Sequence, residues 1–286
     1  MIGTVAFEKI SAEDFQWLKN WIKDNTAIVM DDGRKFVAEK RLHSLLWKHK
    51  IPTFKELCKY LKVGLDAGLK ADALEAITAN DTWFFRDPHY FDLLKTQIIP
   101  HLMRTRQSSR KLRIWSAGCS TGQEAYSLAI LLDTMPLLEG WDVQLMASDL
   151  SSRQIERAKQ GVYSREEVNR GLPAVHLTKY FQQEGMAWAA RESLKEKIQF
   201  NVIRLDEAWS PMPTFDLVLL RNVLIYFDEA SRLDLLWRMR KQISVDGSLV
   251  LGSAEQNDLN DGFELAGHEK ARYYQRIQGI VTAKAA

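Results

Sequence analysis

The chain has 286 residues, 46% of them apolar, and a formal net charge of +2 at pH 7, enough for a full α/β domain with one or two small additions. No apolar run approaches the roughly 18 residues of a membrane span, and the N-terminus, MIGTVAFEKISAEDF, lacks the charged-then-apolar order of a signal peptide. A cytoplasmic location without membrane insertion is therefore expected, and two distant cysteines, Cys58 and Cys119, outside any C-x-x-C, indicate neither a disulfide framework nor a zinc site.

The first 75 or so residues read as helices. Phe15, Leu18 and Ile22 form an apolar stripe behind Ser11, a candidate N-cap, and Thr53-x-x-Glu56 is a capping box ahead of Phe54, Leu57 and Leu61. A helix around Ala71 to Ala79 joins this part, residues 1–79, to residues 80–286. Between Arg34 and Lys70 the sequence holds ten basic residues against three acidic ones (Glu39, Glu56 and Asp66). Such an excess suits an acidic protein surface or a nucleic acid, and equally a solvated helical face.

Asn80-Asp-Thr-Trp-Phe-Phe-Arg-Asp-Pro88 follows. Asp87-Pro88 reads as an N-cap and first-turn proline, with Phe91, Leu94 and Ile98 continuing a helix. The aromatic run before it has no periodicity.

Leu112 to Leu132, LRIWSAGCSTGQEAYSLAILL, reads as strand, tight loop and helix. Ala125, Leu128, Ala129 and Leu132 fall on one stripe, and the free amides of the helix start face the loop. The glycines are not spaced G-x-G-x-x-G or G-x-x-x-x-G-K-[ST], which disfavours dinucleotides and triphosphates. Glu124, on the first turn, would repel a phosphate but could hold ribose hydroxyls, so the loop suits an adenosine without phosphates. Cys119 within it reads as a small buried residue.

Val143, Leu145 and Ala147 alternate as a strand ending at Ser148-Asp149. An acid there is placed for the ribose hydroxyls, or to cap the helix of Arg153 to Lys159. Residues 161–200, with Gly171, Pro173 and Gly185, suggest a small antiparallel insertion on a parallel sheet. Strands are expected at Ile198 to Leu205 and Phe215 to Leu220, the latter continuously apolar apart from Asp216, as a buried parallel strand is. Leu236, Met239 and Ile243 mark a helix, Asp246-Gly247 a turn, Ser248 to Gly252 a strand, and Phe263 to Leu265 with Arg272 to Ile277 a final antiparallel pair.

Four motifs, WSAGCSTGQEAYSLAILL, NDTWFFRDPHYF, ASDLSSRQIERAKQGVYS and FDLVLLRNVLIYFD, resemble in sequence and order the CheR family of chemotaxis receptor methyltransferases. The resemblance covers residues from about 15 to 280. It implies a Rossmann-like class I S-adenosylmethionine-dependent methyltransferase sheet, with a small N-terminal helical domain and an antiparallel β insertion. The implied activity is protein-glutamate O-methyl transfer to the cytoplasmic helical domain of chemoreceptors, by a monomer, with S-adenosylmethionine as cofactor, S-adenosylhomocysteine as product, and no metal.

Carried over residue by residue, the family's cofactor contacts fall on Asn80, Thr82, Arg86, Ala117, Gly118, Glu124, Asp149, Arg221 and Asn222, followed by Val223 on the backbone. The resemblance places Arg86 and Tyr226 at the reacting centre. Where the family has Asn-Leu, this chain has Arg204-Leu205, so the side-chain contact changes while a backbone contact to adenine could survive. In some members the insertion pairs with a tethering peptide at the receptor's C-terminus; the short Gln182-Gln183-Glu184-Gly185 connection here predicts recognition without it. Two other classes compete. An amino-methylating DNA enzyme should carry Asp/Asn-Pro-Pro-aromatic where Arg221-Asn222-Val223-Leu224 stands, and a non-catalytic cofactor sensor would bind without transfer.

Overall fold

A computed structural model of the chain describes residues 9–30, 32–78, 82–209, 211–255, 263–268 and 271–277. Asn80 and the first eight residues lie outside the described residues. The chain divides into two units, one of residues 1–80 with 226–228, the other of residues 81–225 and 229–286.

The first unit is helical: Ala12–Thr26, Lys35–Lys48, Phe54–Val63 and Ala67–Thr78. Ser11 caps the first helix by accepting the Asp14 N–H, and Thr53 caps the third by accepting that of Glu56. The third helix ends at Gly64, whose φ of +69° is the left-handed conformation that glycine adopts without strain. Phe15, Leu18 and Ile22 are buried with Leu42, Phe54 and Leu57, so the 3.6-residue period read from the sequence is the packing face.

The second unit is built on a seven-stranded sheet in the order β6-β2-β1-β7-β8-β10-β9. Its strands are β1 (Lys111–Ala117), β2 (Asp142–Asp149), β6 (Ile198–Val202), β7 (Phe215–Leu220), β8 (Ile243–Leu251), β9 (Phe263–His268) and β10 (Ala271–Arg276). The first five in chain order pair in parallel, while β10 runs antiparallel to both β8 and β9. Every residue of β7 is buried, as its apolar run requires. Its one charge, Asp216, accepts from Arg106 Nε, Arg113 N and Ser244 Oγ at 2.7 to 2.9 Å, which offsets the cost of burying a carboxylate.

β3 (Val162–Ser164), β5 (Ala187–Ala190) and β4 (Phe181–Glu184) form a separate antiparallel sheet in that order. The insertion is only partly β, because helices Arg165–Asn169, Ala174–Tyr180 and Glu192–Lys195 alternate with its strands. It ends before Ile198, which already belongs to the main sheet.

Three expectations are corrected. The helix Gln123–Asp133 is buried on more than the one stripe, at Gln123 and from Ala125 through Leu131 with Glu124 half-buried, because Tyr126 packs on Tyr163 and Phe181 of the insertion. Ile243 opens β8 instead of closing the helix Glu229–Gln242. Asp246-Gly247 lies within β8 at an irregularity of its pairing, where the register passes from Phe215↔Ile243 to Leu217↔Ser248.

Candidate active site

In a parallel sheet of this order the connections diverge on either side of β1 and β7, and ligands bind outside the carboxyl ends of the strands at that point. Ala117, Asp149, Arg204-Leu205, Arg221-Asn222 and Gly252 all stand at or just beyond those ends of β1, β2, β6, β7 and β8.

After Ala117, Gly118 turns the chain with φ +80°, and an added Cβ would lie 2.5 Å from Val223 Cγ2. Glycine is required here twice over, by conformation and by space. The amides of Gly118 and Cys119 both donate to the Ser148 carbonyl at 2.8 Å, fixing the loop against β2. Cys119 is buried, and burial pushes its thiol well up, so it is not a reactive nucleophile.

Asp149 does not cap the following helix; Ser151 does, by accepting the Gln154 N–H. The Asp149 carboxylate instead accepts Ser120 N at 2.9 Å on one oxygen and Ser151 N at 3.0 Å on the other. Burial pushes its carboxyl up, opposed by the donated N–H groups of Ser151, Ser120 and Leu150. Each oxygen keeps acceptor capacity.

Glu124 and Asp87, both half-buried, form a web around the buried Arg221. Glu124 accepts from Ser116 Oγ at 2.8 Å and from Arg221 Nη1 at 2.9 Å, while Arg221 Nη2 donates to the Arg86 carbonyl and to Asp87 Oδ2, both at 2.8 Å. The Arg221 guanidinium also lies over the Tyr90 ring at 4.8 Å. The arginine side chain of the Arg-Asn pair thus serves as an internal strut that seats the Arg86 backbone. Asp87 begins the helix Pro88–Leu93 without a side-chain cap, its carboxylate being used by Arg221 instead.

Arg204 is committed locally. Its guanidinium pairs with Asp206 and Glu207 at 2.6 Å, its carbonyl accepts Trp209 Nε1, and the Leu205 carbonyl accepts Arg238 Nη2. Thr82 is half-buried at the start of the aromatic segment. Tyr226 belongs to the helical unit, where its carbonyl accepts Val29 N at 2.7 Å. With Ile28, Met30, Val37 and Arg41 it lines a cleft of about 180 Å³.

One residue of the site was missed by the sequence reading. Glu255, 3% exposed, accepts the backbone N–H groups of Asn222 (2.6 Å), Gly252 (2.9 Å) and Ile225 (3.2 Å). It holds Asn222 in its left-handed conformation, φ +60°. Burial pushes its carboxyl up, against the pull of those amides.

The family described as CheR methyltransferase, SAM binding domain, matches residues 80–271, and its all-alpha domain matches residues 13–78. The chain belongs to the CheR methyltransferase family. It is 32% identical over 260 residues to chemotaxis protein methyltransferase 1 of Pseudomonas aeruginosa, covering 88% of this chain and 93% of that protein. To chemotaxis protein methyltransferase Cher2 of Pseudomonas putida it is 30% identical, over 92% of this chain and 97% of that one. Among solved structures it is similar to the N-methyltransferase NodS from Bradyrhizobium japonicum, with 14% identity and a TM-score of 0.37 over 68% of this chain and 100% of that one.

The chain is an S-adenosylmethionine-dependent methyltransferase of chemotaxis, and its residues fit that cofactor. The helix that follows the Gly118 to Gly122 loop carries Glu124 on its first turn, where it would repel a phosphate, and the buried Asp149 retains acceptors for hydroxyl donors. Among the described residues no helix is long and apolar enough to cross a membrane, and no cluster of His, Cys, Asp and Glu could hold a metal ion.

Proposed function

We propose that this chain esterifies glutamate side chains of chemoreceptor cytoplasmic domains. The observation that carries the reading is that both family domains match in chain order, over nearly all of residues 13 to 271. The relatives' shared designation as chemotaxis methyltransferases supports the receptor as substrate.

When bound, S-adenosylmethionine supplies an electrophilic methyl on a sulfonium. A glutamate carboxylate, with a reference pKa near 4.3, is ionised at pH 7 and needs no general base. The work left to the protein is orientation and exclusion of water. In this reading Asp149 holds the ribose, the Ala117-Gly118 turn and Glu124 shape the loop beside it, and Asn80, Thr82, Asn222 and the backbone of Arg204-Leu205 complete the cofactor's surroundings. Arg221 acts through Glu124 and Asp87. Arg86 holds a carboxylate by paired hydrogen bonds, and Tyr226 orients the attacking oxygen.

The helical unit docks the acidic receptor surface. Lys40, Lys50, Lys55, Lys59, Lys62 and Lys70 are exposed on it, while Lys48 pairs with Asp72 at 2.6 Å, so most of the basic excess is solvent-facing and available for steering. The test is transfer of labelled methyl to receptor cytoplasmic fragments. Base-labile label marks esters and supports the reading; base-stable label, or label on nucleic acid alone, overturns it.

A further inference from the structure

The segment that leads into Arg86 is gripped, residue by residue, by the insertion. The guanidinium carbon of Arg170 lies 4.2 Å from the centre of the Trp83 ring, and that of Arg86 lies 4.5 Å from the same ring. One residue on, Gly171 (φ +91°) faces Phe84 so closely that an added Cβ would collide with the Phe84 carbonyl oxygen. Phe84 is fully buried, with Tyr163 and Phe181 edge-on at 5.0 and 5.6 Å. Phe85 stacks on His176 at 5.6 Å with an interplanar angle of 21°.

Those contacts act on a backbone that would not hold its shape alone. Phe85 and Asp87, on either side of Arg86, have φ values of +50° and +57°, a region that non-glycine residues keep only when their surroundings enforce it. Ser127 Oγ accepts the Phe85 N–H and Arg221 donates to the Arg86 carbonyl, which fixes the main chain. The side chain is a separate matter, because an arginine has many rotamers to lose. The face of an indole attracts a guanidinium and limits where it can lie.

We propose that Trp83 and Arg170 are positioning residues for Arg86. The indole is the platform on which the Arg86 guanidinium rests, and Arg170 anchors that indole from the insertion, immediately before the close Gly171–Phe84 approach. The insertion thereby sets the position of a group at the reacting centre. This rests on the reading of Arg86 as the residue that holds a carboxylate there.

The experiment measures labelled methyl transfer to a chemoreceptor cytoplasmic fragment by Arg170→Ala, Trp83→Ala, Trp83→Phe, Arg86→Lys and the double variant Arg86→Lys/Arg170→Ala, with thermal unfolding of each. Arg170→Ala and Trp83→Ala should lower kcat about ten-fold, the scale of a small misplacement, with the receptor KM little changed. Trp83→Phe keeps a ring and should retain most of the rate. In the Arg86→Lys background Arg170→Ala should cost nothing further, whereas general damage would multiply in both backgrounds. As a readout apart from activity, Arg170→Ala should alter the tryptophan emission of the wild type, whereas a further double variant, Trp83→Phe/Arg170→Ala, should emit as Trp83→Phe does. An impaired Arg86→Lys beside a normal Arg170→Ala, or equal losses in both backgrounds, overturns the positioning role alone. A normal kcat for Arg86→Lys overturns it together with the assigned role of Arg86.

Discussion

Arg221 Nη1 donates to Glu124 Oε2 across 2.9 Å, joining the end of β7 to the first turn of the helix after β1. The arginine side chain is 1% exposed, and Asp87 supplies its second carboxylate. With the arginine buried and the two carboxylates only partly so, such a web contributes little net stability against an apolar replacement, but removing the arginine leaves both carboxylates without their cation. Arg221→Ala should therefore destabilise the protein by about 3–5 kcal/mol, measured by denaturant unfolding. Glu124→Gln keeps an oxygen facing Arg221 and should cost less. A loss below about 1 kcal/mol for Arg221→Ala, the scale of an exposed pair, would show that the web is not structural.

Asp149 is expected to take the ribose hydroxyls, so Asp149→Ala should weaken S-adenosylhomocysteine binding by about 1–3 kcal/mol in calorimetry. The pH dependence has a definite sign. With its folded pKa above the ordinary aspartate value near 3.9, this group's contribution to stability is full below that value and is lost as pH rises through the folded pKa. Binding runs the other way, since hydroxyl donors need the ionised acceptor. Affinity should fall on acidification before ordinary carboxylates titrate, and Asp149→Asn should remove that dependence. Equal pH profiles for the two proteins would sink the assignment.

Gly252 has no room for a side chain. An added Cβ would lie 2.7 Å from Glu255 Oε2 and 2.9 Å from Asn222 N, so Gly252→Ala must displace the carboxylate that holds Asn222. Overpacking at such a site costs about 1–3 kcal/mol, and S-adenosylhomocysteine affinity should fall with it. Full stability and affinity in the variant would mean that the turn relaxes freely.

The contrast between Asp149 and Glu255 shows what the sequence made legible. Asp149 ends an alternating strand after a glycine loop, so its place follows from local pattern and sheet logic. Glu255 sits in Ser-Ala-Glu, which has no pattern; its role exists only because Asn222, 33 residues away in sequence, folds beside it. Arg221 likewise could be placed at a strand end, but not assigned to Glu124 and Asp87. The insertion's strand β4 was hidden because three of its four residues, Gln182, Gln183 and Glu184, are polar and exposed.

The basic excess of the helical unit predicts a separation of effects. Reversing several of the exposed lysines among Lys40, Lys55, Lys59 and Lys62 should raise the receptor KM and flatten its salt dependence, because steering by exposed charges is screened by salt. Cofactor affinity should stay as it is. Loss of cofactor binding in parallel with the rise in KM would assign these residues a structural role instead.

The insertion bears on how the receptor is held. Strand addition needs an exposed edge, and β4 is an edge strand, paired with β5 alone in its sheet. What the geometry withholds is a loop to clamp a peptide. Gln182 to Glu184 are themselves strand, and Glu184↔Ala187 pairing leaves only Gly185 (φ +60°) and Met186 as the turn. An edge without a clamp offers a peptide chiefly main-chain hydrogen bonds, whereas specificity in strand addition comes from pockets for alternate side chains. The enzyme is therefore expected to recognise the methylation region directly through its helical unit, and removal of a receptor's last few residues should leave the methylation rate nearly unchanged. A binding isotherm with the tail peptide at micromolar concentration, joined to a large fall in rate on tail removal, would show instead that the β4 edge alone is sufficient to hold a tether.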